Sequence, residues 1–397
     1  MHLAPYSTFI KYWSLNSSIC FLNHGSFGAT PKVVIEKQKT LHTRMEEEPI
    51  RHMVYELPNL LMESKEKLAT FLHCNAADIV FMSNTTSGVN TVLNAIEKHE
   101  QTEWLITNHT YEACKHAINV YAKKYNIKLN IVTIRFPIQS QEEVIHAIEE
   151  AINPNTSFAM IDHVTSSTGI IFPVKEIVQL LHKHSIKVLL DGAHAPGMLN
   201  LRLEEIDADF YVGNCHKWIC SPKGSAFLYV KKSLQAGIQA LVISHYNAAF
   251  ENTEYHWSSQ FLWDGTHDYS AYVCIKDAIT FFEHIIPDSW AGIQKHNHQL
   301  AWEYGNKIVT ILDTEPSAPE NMIGNLYTFS IRNLKRLIDK YPTTMALNTY
   351  FYEQYKIEMP FFAFPDDNNI YGRISAQLYN SPEQYEYLIS CLKKEMQ

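Results

Sequence analysis

The sequence predicts an α/β protein: a mostly parallel central sheet flanked by helices, followed by a smaller α+β unit. Between residues 79 and 230, short apolar runs alternate with amphipathic stretches, the pattern of successive β-α units. After about residue 275 that alternation gives way to long helical stretches and isolated strands. At 397 residues the chain also exceeds what one hydrophobic core usually serves. The division expected is an N-terminal segment at 1–30 that joins the smaller unit and the functional site, a large unit at 31–275, and a small C-terminal unit at 276–397.

The elements follow in order. Ile79-Val-Phe-Met82 reads as a strand running into the polar turn Ser83–Gly88 and then a helix carrying Val89, Val92, Leu93 and Ile96. Trp104–Thr107 is the next strand, followed by a helix from about Tyr111 with Ala113, Ala117, Val120 and Tyr121 on one face. Asn130–Ile134 and Ser157–Ile161 continue the strands. A helix around Val174–His184 leads into Lys187–Leu190, and Phe210–Val212 and Ser225–Val230 close the run. Helices over Ala271–Ile286 and Trp290–Leu312, a strand at Asn325–Ile331, a helix near Thr343–Tyr355, the segment Arg373–Leu378 and a terminal helix at Glu383–Glu395 complete the chain.

Composition narrows the function. A formal net charge of −9 and no basic stripe argue against a nucleic-acid binder. No apolar run approaches the ~18 residues a membrane span needs. The N-terminal stretch lacks a charged region followed by an apolar core, so no secretory signal is expected. Seven scattered cysteines fit reduced thiols and a cytoplasmic protein better than a disulfide framework. Cys215 and Cys220 lack CxxC spacing, and the 20 histidines show no metal-ligand spacing, so no metal site is expected.

In open α/β sheets, ligands bind beyond the carboxyl ends of the strands, and the informative residues cluster there. The turn Asn84–Asn90 opens a helix, where backbone N–H groups and the Thr85 and Thr86 hydroxyls suit a phosphate; a simple helix cap is the competing reading. Asp191 follows an apolar strand and suits a protonated ring nitrogen, whose proton a desolvated ion pair retains. Lys217, 26 positions on, is a candidate to form an imine with a carbonyl, because partial desolvation lowers a lysine pKa. Asn214 and His216 add donors for a phosphate. Singly each has an ordinary structural explanation. In this order on one sheet they point to pyridoxal 5′-phosphate (PLP), which a protonated ring makes the better electron sink.

These segments, with Phe21–Gly28, His163–Gly169, Asp191–Gly197, Pro222–Ser225, Trp263–Thr266 and Arg373–Asn380, resemble the class V aminotransferase-like PLP enzymes of fold type I. The likeness is to their isopenicillin N epimerase-like and cysteine desulfurase-like branch. The resemblance implies phosphate contacts from Thr85, Thr86, Asn214 and His216, and an aldimine on Lys217. It implies Asp191 on the pyridine nitrogen, and His194 and Ser166 near the ring hydroxyl. It also implies Tyr111 stacked on the ring, with His109 as the competing candidate. Thr266 matches a position that reaches the neighbouring subunit's phosphate, which implies a homodimer with shared active sites. Arg373 matches the anchor for the substrate α-carboxylate, where a guanidinium fork binds bidentately; Arg51 is a weaker candidate. Asn23 and Gly25 belong to the loop expected to close over an amino-acid substrate.

Two departures bear on the reaction. His267 stands where epimerase-like relatives often carry Arg. Between Cys274 and Cys391 there is no cysteine, which disfavours a persulfide-forming desulfurase. Every branch of the family would pass through a quinonoid after Cα deprotonation by Lys217. The resemblance puts epimerisation and C–S lysis ahead of transamination. A PLP-fold binding protein without turnover is the alternative of another class.

Overall fold

The computed structural model describes residues 4–244, 252–364 and 369–397. Its strands are β1 (Cys20–Phe21), β2 (Ile79–Met82), β3 (Glu103–Thr107), β4 (Lys128–Val132), β5 (Thr156–Asp162), β6 (Lys187–Asp191), β7 (Phe210–Asn214) and β8 (Ala226–Val230). After these come β9 (Leu326–Ser330), β10 (Ile357–Glu358), β11 (Phe361–Ala363) and β12 (Ile370–Ser375). The central sheet has the order β2-β8-β7-β6-β5-β3-β4, and β8 alone runs antiparallel to its neighbours.

Both faces of this sheet are covered, so its strands are apolar throughout rather than alternating in polarity. The period of two appears instead as a division between two cores. Ile79, Phe81, Leu105, Ile161, Leu190 and Tyr211 point into one. Val80, Met82, Ile106, Met160, Leu189 and Val212 point into the other, beneath the helices Thr85–Ala95 and Glu112–Lys124. Continuing that alternation to the strand ends puts Asp162, Asp191 and Asn214 on the second face. Strand register sets Asp162 directly beside Asp191.

A three-stranded antiparallel sheet, β11-β12-β9, follows the central one in sequence. The N-terminal β1 pairs with β10, and the Ser375 N–H donates to the Leu22 carbonyl. No helix of the described residues is long and apolar enough to cross a membrane.

Three differences from the sequence reading have local causes. The strand expected at Asn130–Ile134 lies two residues earlier. Beyond Val132 the chain leaves β3, and the Asn108 carboxamide satisfies both backbone groups of Ile134. The stretch at 271–286 breaks at Cys274 into Ser270–Val273 and Ile275–Ile285. The helices Lys32–Glu47 and Leu57–Leu72 were not anticipated, although Leu57, Leu61, Leu68 and Leu72 carry a helical spacing and are buried.

Candidate active site

The carboxyl ends of β2, β5, β6 and β7 open into one cleft. It is lined by Thr85, Thr86, Tyr111, Ser166, Asp191, His194, Asn214, His216 and Lys217, together with Ser26, Phe27, Asn84, Asp162, Val164 and Ala193. Nine of the residues singled out from the sequence therefore meet in one place.

The helix Thr85–Ala95 starts at the cleft. Its Asn84 side chain accepts from the Ser87 N–H at 2.9 Å, and the Asn214 Oδ1 accepts from the Thr85 N–H at 3.0 Å. Two of the backbone donors expected to cradle an anion are thus already engaged. The Thr86 N–H and the two threonine hydroxyls remain, and the buried Thr85 Oγ1 has no partner. His216 donates through Nδ1 to the Ser225 carbonyl, and burial lowers its pKa to about 4.

Asp191 is fully buried. Its Oδ1 accepts from the Ala193 N–H at 3.0 Å and its Oδ2 from the Cys114 thiol at 3.2 Å. Burial raises its pKa, opposed by those two donors and by the Lys217 charge. The neighbouring Asp162 is a residue that sequence reasoning missed. It is 2% exposed, its Oδ2 has no hydrogen-bond partner, and burial and then the Asp191 charge push its pKa well up. Neighbouring carboxyls in a dry site disfavour each other's ionisation, and of the two Asp162 is raised the further. The strand-end logic that identified Asp191 applies equally one strand away.

The Lys217 amine lies 2.9 Å from His194 Nε2. Desolvation, then the Arg373 charge, lowers its pKa to about 7. His24, a second missed residue, donates through Nε2 to the Lys217 carbonyl at 3.0 Å and accepts at Nδ1 from the Tyr379 hydroxyl at 2.7 Å. The segment expected as a loop at Asn23–Gly28 is a short helix, His24–Phe27. Asn23 is not among the cleft-lining residues; its Oδ1 accepts from the hydroxyl of Ser26, which is. Gly28, at φ +69°, lets this helix seat on the lysine loop: a Cβ there would lie 2.1 Å from the His216 carbonyl oxygen. Gly25 has Trp218 and His194 within 4 Å of where its Cβ would sit.

Tyr111 reaches the cleft, whereas His109 does not. His109 is 4% exposed, bonded to the Thr168 hydroxyl and enclosed by Phe136, Phe172 and Phe364. Arg373, on β12, is fully buried and donates to the Ser166 carbonyl; among the described residues no carboxylate pairs with it. Its charge acts on both Lys217 and His194. Arg51 is exposed and bonded to Glu56, so it does not join this cluster. Thr266 is exposed outside the cleft, and His267 is bonded to Asp264 at 2.7 Å.

These residues suit PLP. A helix start with spare hydroxyls fits a phosphate, the buried Asp191 carboxyl fits a pyridinium, and a near-neutral lysine fits an aldehyde. No cysteine lines the cleft.

The chain is 27% identical to a probable chloroplastic L-cysteine desulfhydrase of Arabidopsis thaliana, over 92% of this chain and 81% of that protein. It is 25% identical to an isopenicillin N epimerase of Amycolatopsis lactamdurans, over 96% of each. Among solved structures, a cystine C–S lyase in complex with cysteine persulfide superposes with a TM-score of 0.79 at 19% identity, covering 94% of this chain and 97% of that one. The cysteine desulfurase of Thermococcus onnurineus superposes at 0.76 with 17% identity, covering 99% and 98%. The family profile for class-V aminotransferases matches residues 21–340, and the chain belongs to that family.

Proposed function

We propose that this protein is a PLP-dependent C–S lyase acting on a cysteine-type α-amino acid, with epimerisation at Cα as the second reading. The observation that carries the proposal is Arg373: a buried guanidinium without a carboxylate partner among the described residues, within electrostatic reach of the Lys217 amine. An unpaired buried cation is costly unless a ligand neutralises it, and the α-carboxylate of an amino acid does so while presenting Cα to Lys217.

Thr85, Thr86 and Asn214 would hold the phosphate with His216 beside it, Tyr111 would cover the ring, and Ser166 and His194 would border its hydroxyl. When bound, PLP supplies the electron sink for the pair left at Cα. Asp191 retains the ring proton, Arg373 fixes the carboxylate, and Lys217 Nζ, its pKa lowered to about 7, takes the Cα proton in its neutral form. Lys217 is the one amine among the cleft-lining side chains, beside the Tyr111 phenol and the His194 and His216 imidazoles. The 27% identity to a probable L-cysteine desulfhydrase, over most of both chains, favours elimination of a β-sulfur group. The absence of a cleft cysteine favours release of sulfide or persulfide over its transfer to the protein. The likeness to an isopenicillin N epimerase over nearly the full length supports the second reading.

The remaining assignments complete the proposal. The organisation is a segment at 1–30, a large unit at 31–275 and a small unit at 276–397. Thr266, exposed outside its own cleft, serves the site of a second copy in a homodimer. Seven free cysteines suit a reducing, cytoplasmic setting.

The test is parallel assay of L-cysteine, L-cystine and cysteine conjugates for sulfide, pyruvate and loss of optical activity. Sulfide and pyruvate release that Lys217→Ala abolishes supports the lyase. Racemisation without pyruvate supports the epimerase and overturns it.

A further inference from the structure

The indole of Trp218 is 1% exposed, and its Nε1–H lies 3.4 Å from His194 Nδ1. An indole nitrogen donates and never accepts, so Nδ1 must present its lone pair. The proton of a neutral His194 then sits on Nε2, which is 2.9 Å from Lys217 Nζ. A donor at that position requires the amine to accept. We propose that Trp218 is a positioning residue that locks His194 in its Nε2–H tautomer and so maintains Lys217 as a free base.

The proposal deepens the reading of Lys217 given above and rests on it. The groups facing Lys217 are His194, Arg373, Asp191 and Cys114; those facing His194 are Lys217, Arg373, His216 and His24. Asp191 and Cys114 favour the ammonium, Arg373 opposes it, and the histidines are held neutral by burial. What Trp218 adds is directional. Without its N–H, the His194 proton can move to Nδ1, and Nε2 becomes an acceptor that stabilises the lysine ammonium. The indole also packs 4.7 Å from the His24 ring, so a purely structural role must be separated from the tautomeric one.

The experiment measures Lys217 basicity in the full-length chain freed of cofactor, by competitive acetylation with acetic anhydride across pH 5–10 and mass spectrometry of the Lys217 peptide. Trp218→Phe is expected to raise the midpoint by about one pH unit, which from a start near 7 is about fivefold less labelling at pH 7. His194→Gln supplies an amide that has no tautomers, so adding Trp218→Phe to it is expected to change labelling less than about twofold. A merely structural indole would shift the midpoint equally in both backgrounds. Equal shifts, or no shift with Trp218→Phe alone, overturn the proposal. Neither result depends on PLP uptake, whose failure would instead refute the cofactor reading.

Discussion

Replacing Lys217 with Met in the cofactor-free chain is expected to stabilise it, and to do so in a pH-dependent way. Burial lowers the Lys217 pKa from 10.5 to about 7. At about 1.36 kcal/mol per unit, that displacement corresponds to roughly 4–5 kcal/mol of penalty for folding with the amine charged. Below pH 7 both folded and unfolded chains hold the proton, so the full penalty applies. Between pH 7 and 10.5 the unfolded chain binds more protons than the folded one, so wild-type stability rises with pH through that window. Methionine removes the penalty but strands the His194 donor, which costs about 1–3 kcal/mol. The expected net gain is therefore about 1–4 kcal/mol at pH 6, giving way to a small net loss by pH 10, where less than about 1 kcal/mol of the penalty remains against the stranded donor. Lys65 provides an internal comparison far from the cleft. It is 1% exposed, bonded to the Ser258 hydroxyl at 2.6 Å, and its pKa is also lowered to about 7 by burial. Urea denaturation of wild type, Lys217→Met and Lys65→Met at pH 6, 8 and 10 reads the effect. A Lys217→Met chain no more stable than wild type at pH 6, or a difference flat with pH, refutes the claim that the amine is desolvated.

Two further outcomes follow from the geometry. Gly28→Ala forces a Cβ onto the His216 carbonyl oxygen at a left-handed φ, and is expected to destabilise the chain by about 3 kcal/mol or more and to weaken PLP binding, read by denaturation and cofactor titration. Asp191→Asn removes the charge that retains the ring proton while leaving its shape; turnover should fall about 10²–10³-fold with the cofactor still attached, measured by steady-state kinetics alongside absorbance.

Much of the candidate site was legible because a parallel sheet delivers its strand ends to one edge. Asp191 and Lys217 follow apolar runs whose order alone implies that edge, and the turn at Thr85 opens a helix there. Asp162 escaped because a polar residue ending an apolar run reads as the start of a loop, whereas register carries β5 one residue further, beside Asp191. His24, also missed, and the contact between the two named residues Arg373 and Ser166 depend on segments far apart in the chain. The His24 N–H donates to the Ser375 hydroxyl across 351 positions, and Arg373 reaches the Ser166 carbonyl across 207. No local pattern encodes such contacts; they depend on how the N-terminal segment and β12 pack against the lysine loop. The choice between Tyr111 and His109 was likewise tertiary, decided by the aromatic enclosure of His109.

The account rests on Lys217 carrying PLP, and borohydride tests it most directly. The purified protein, incubated with PLP, reduced and digested, is expected to yield one pyridoxyl-modified peptide, bearing the adduct at Lys217, with loss of the visible absorbance of the imine. No chromophore, or an adduct on a different lysine, would contradict it.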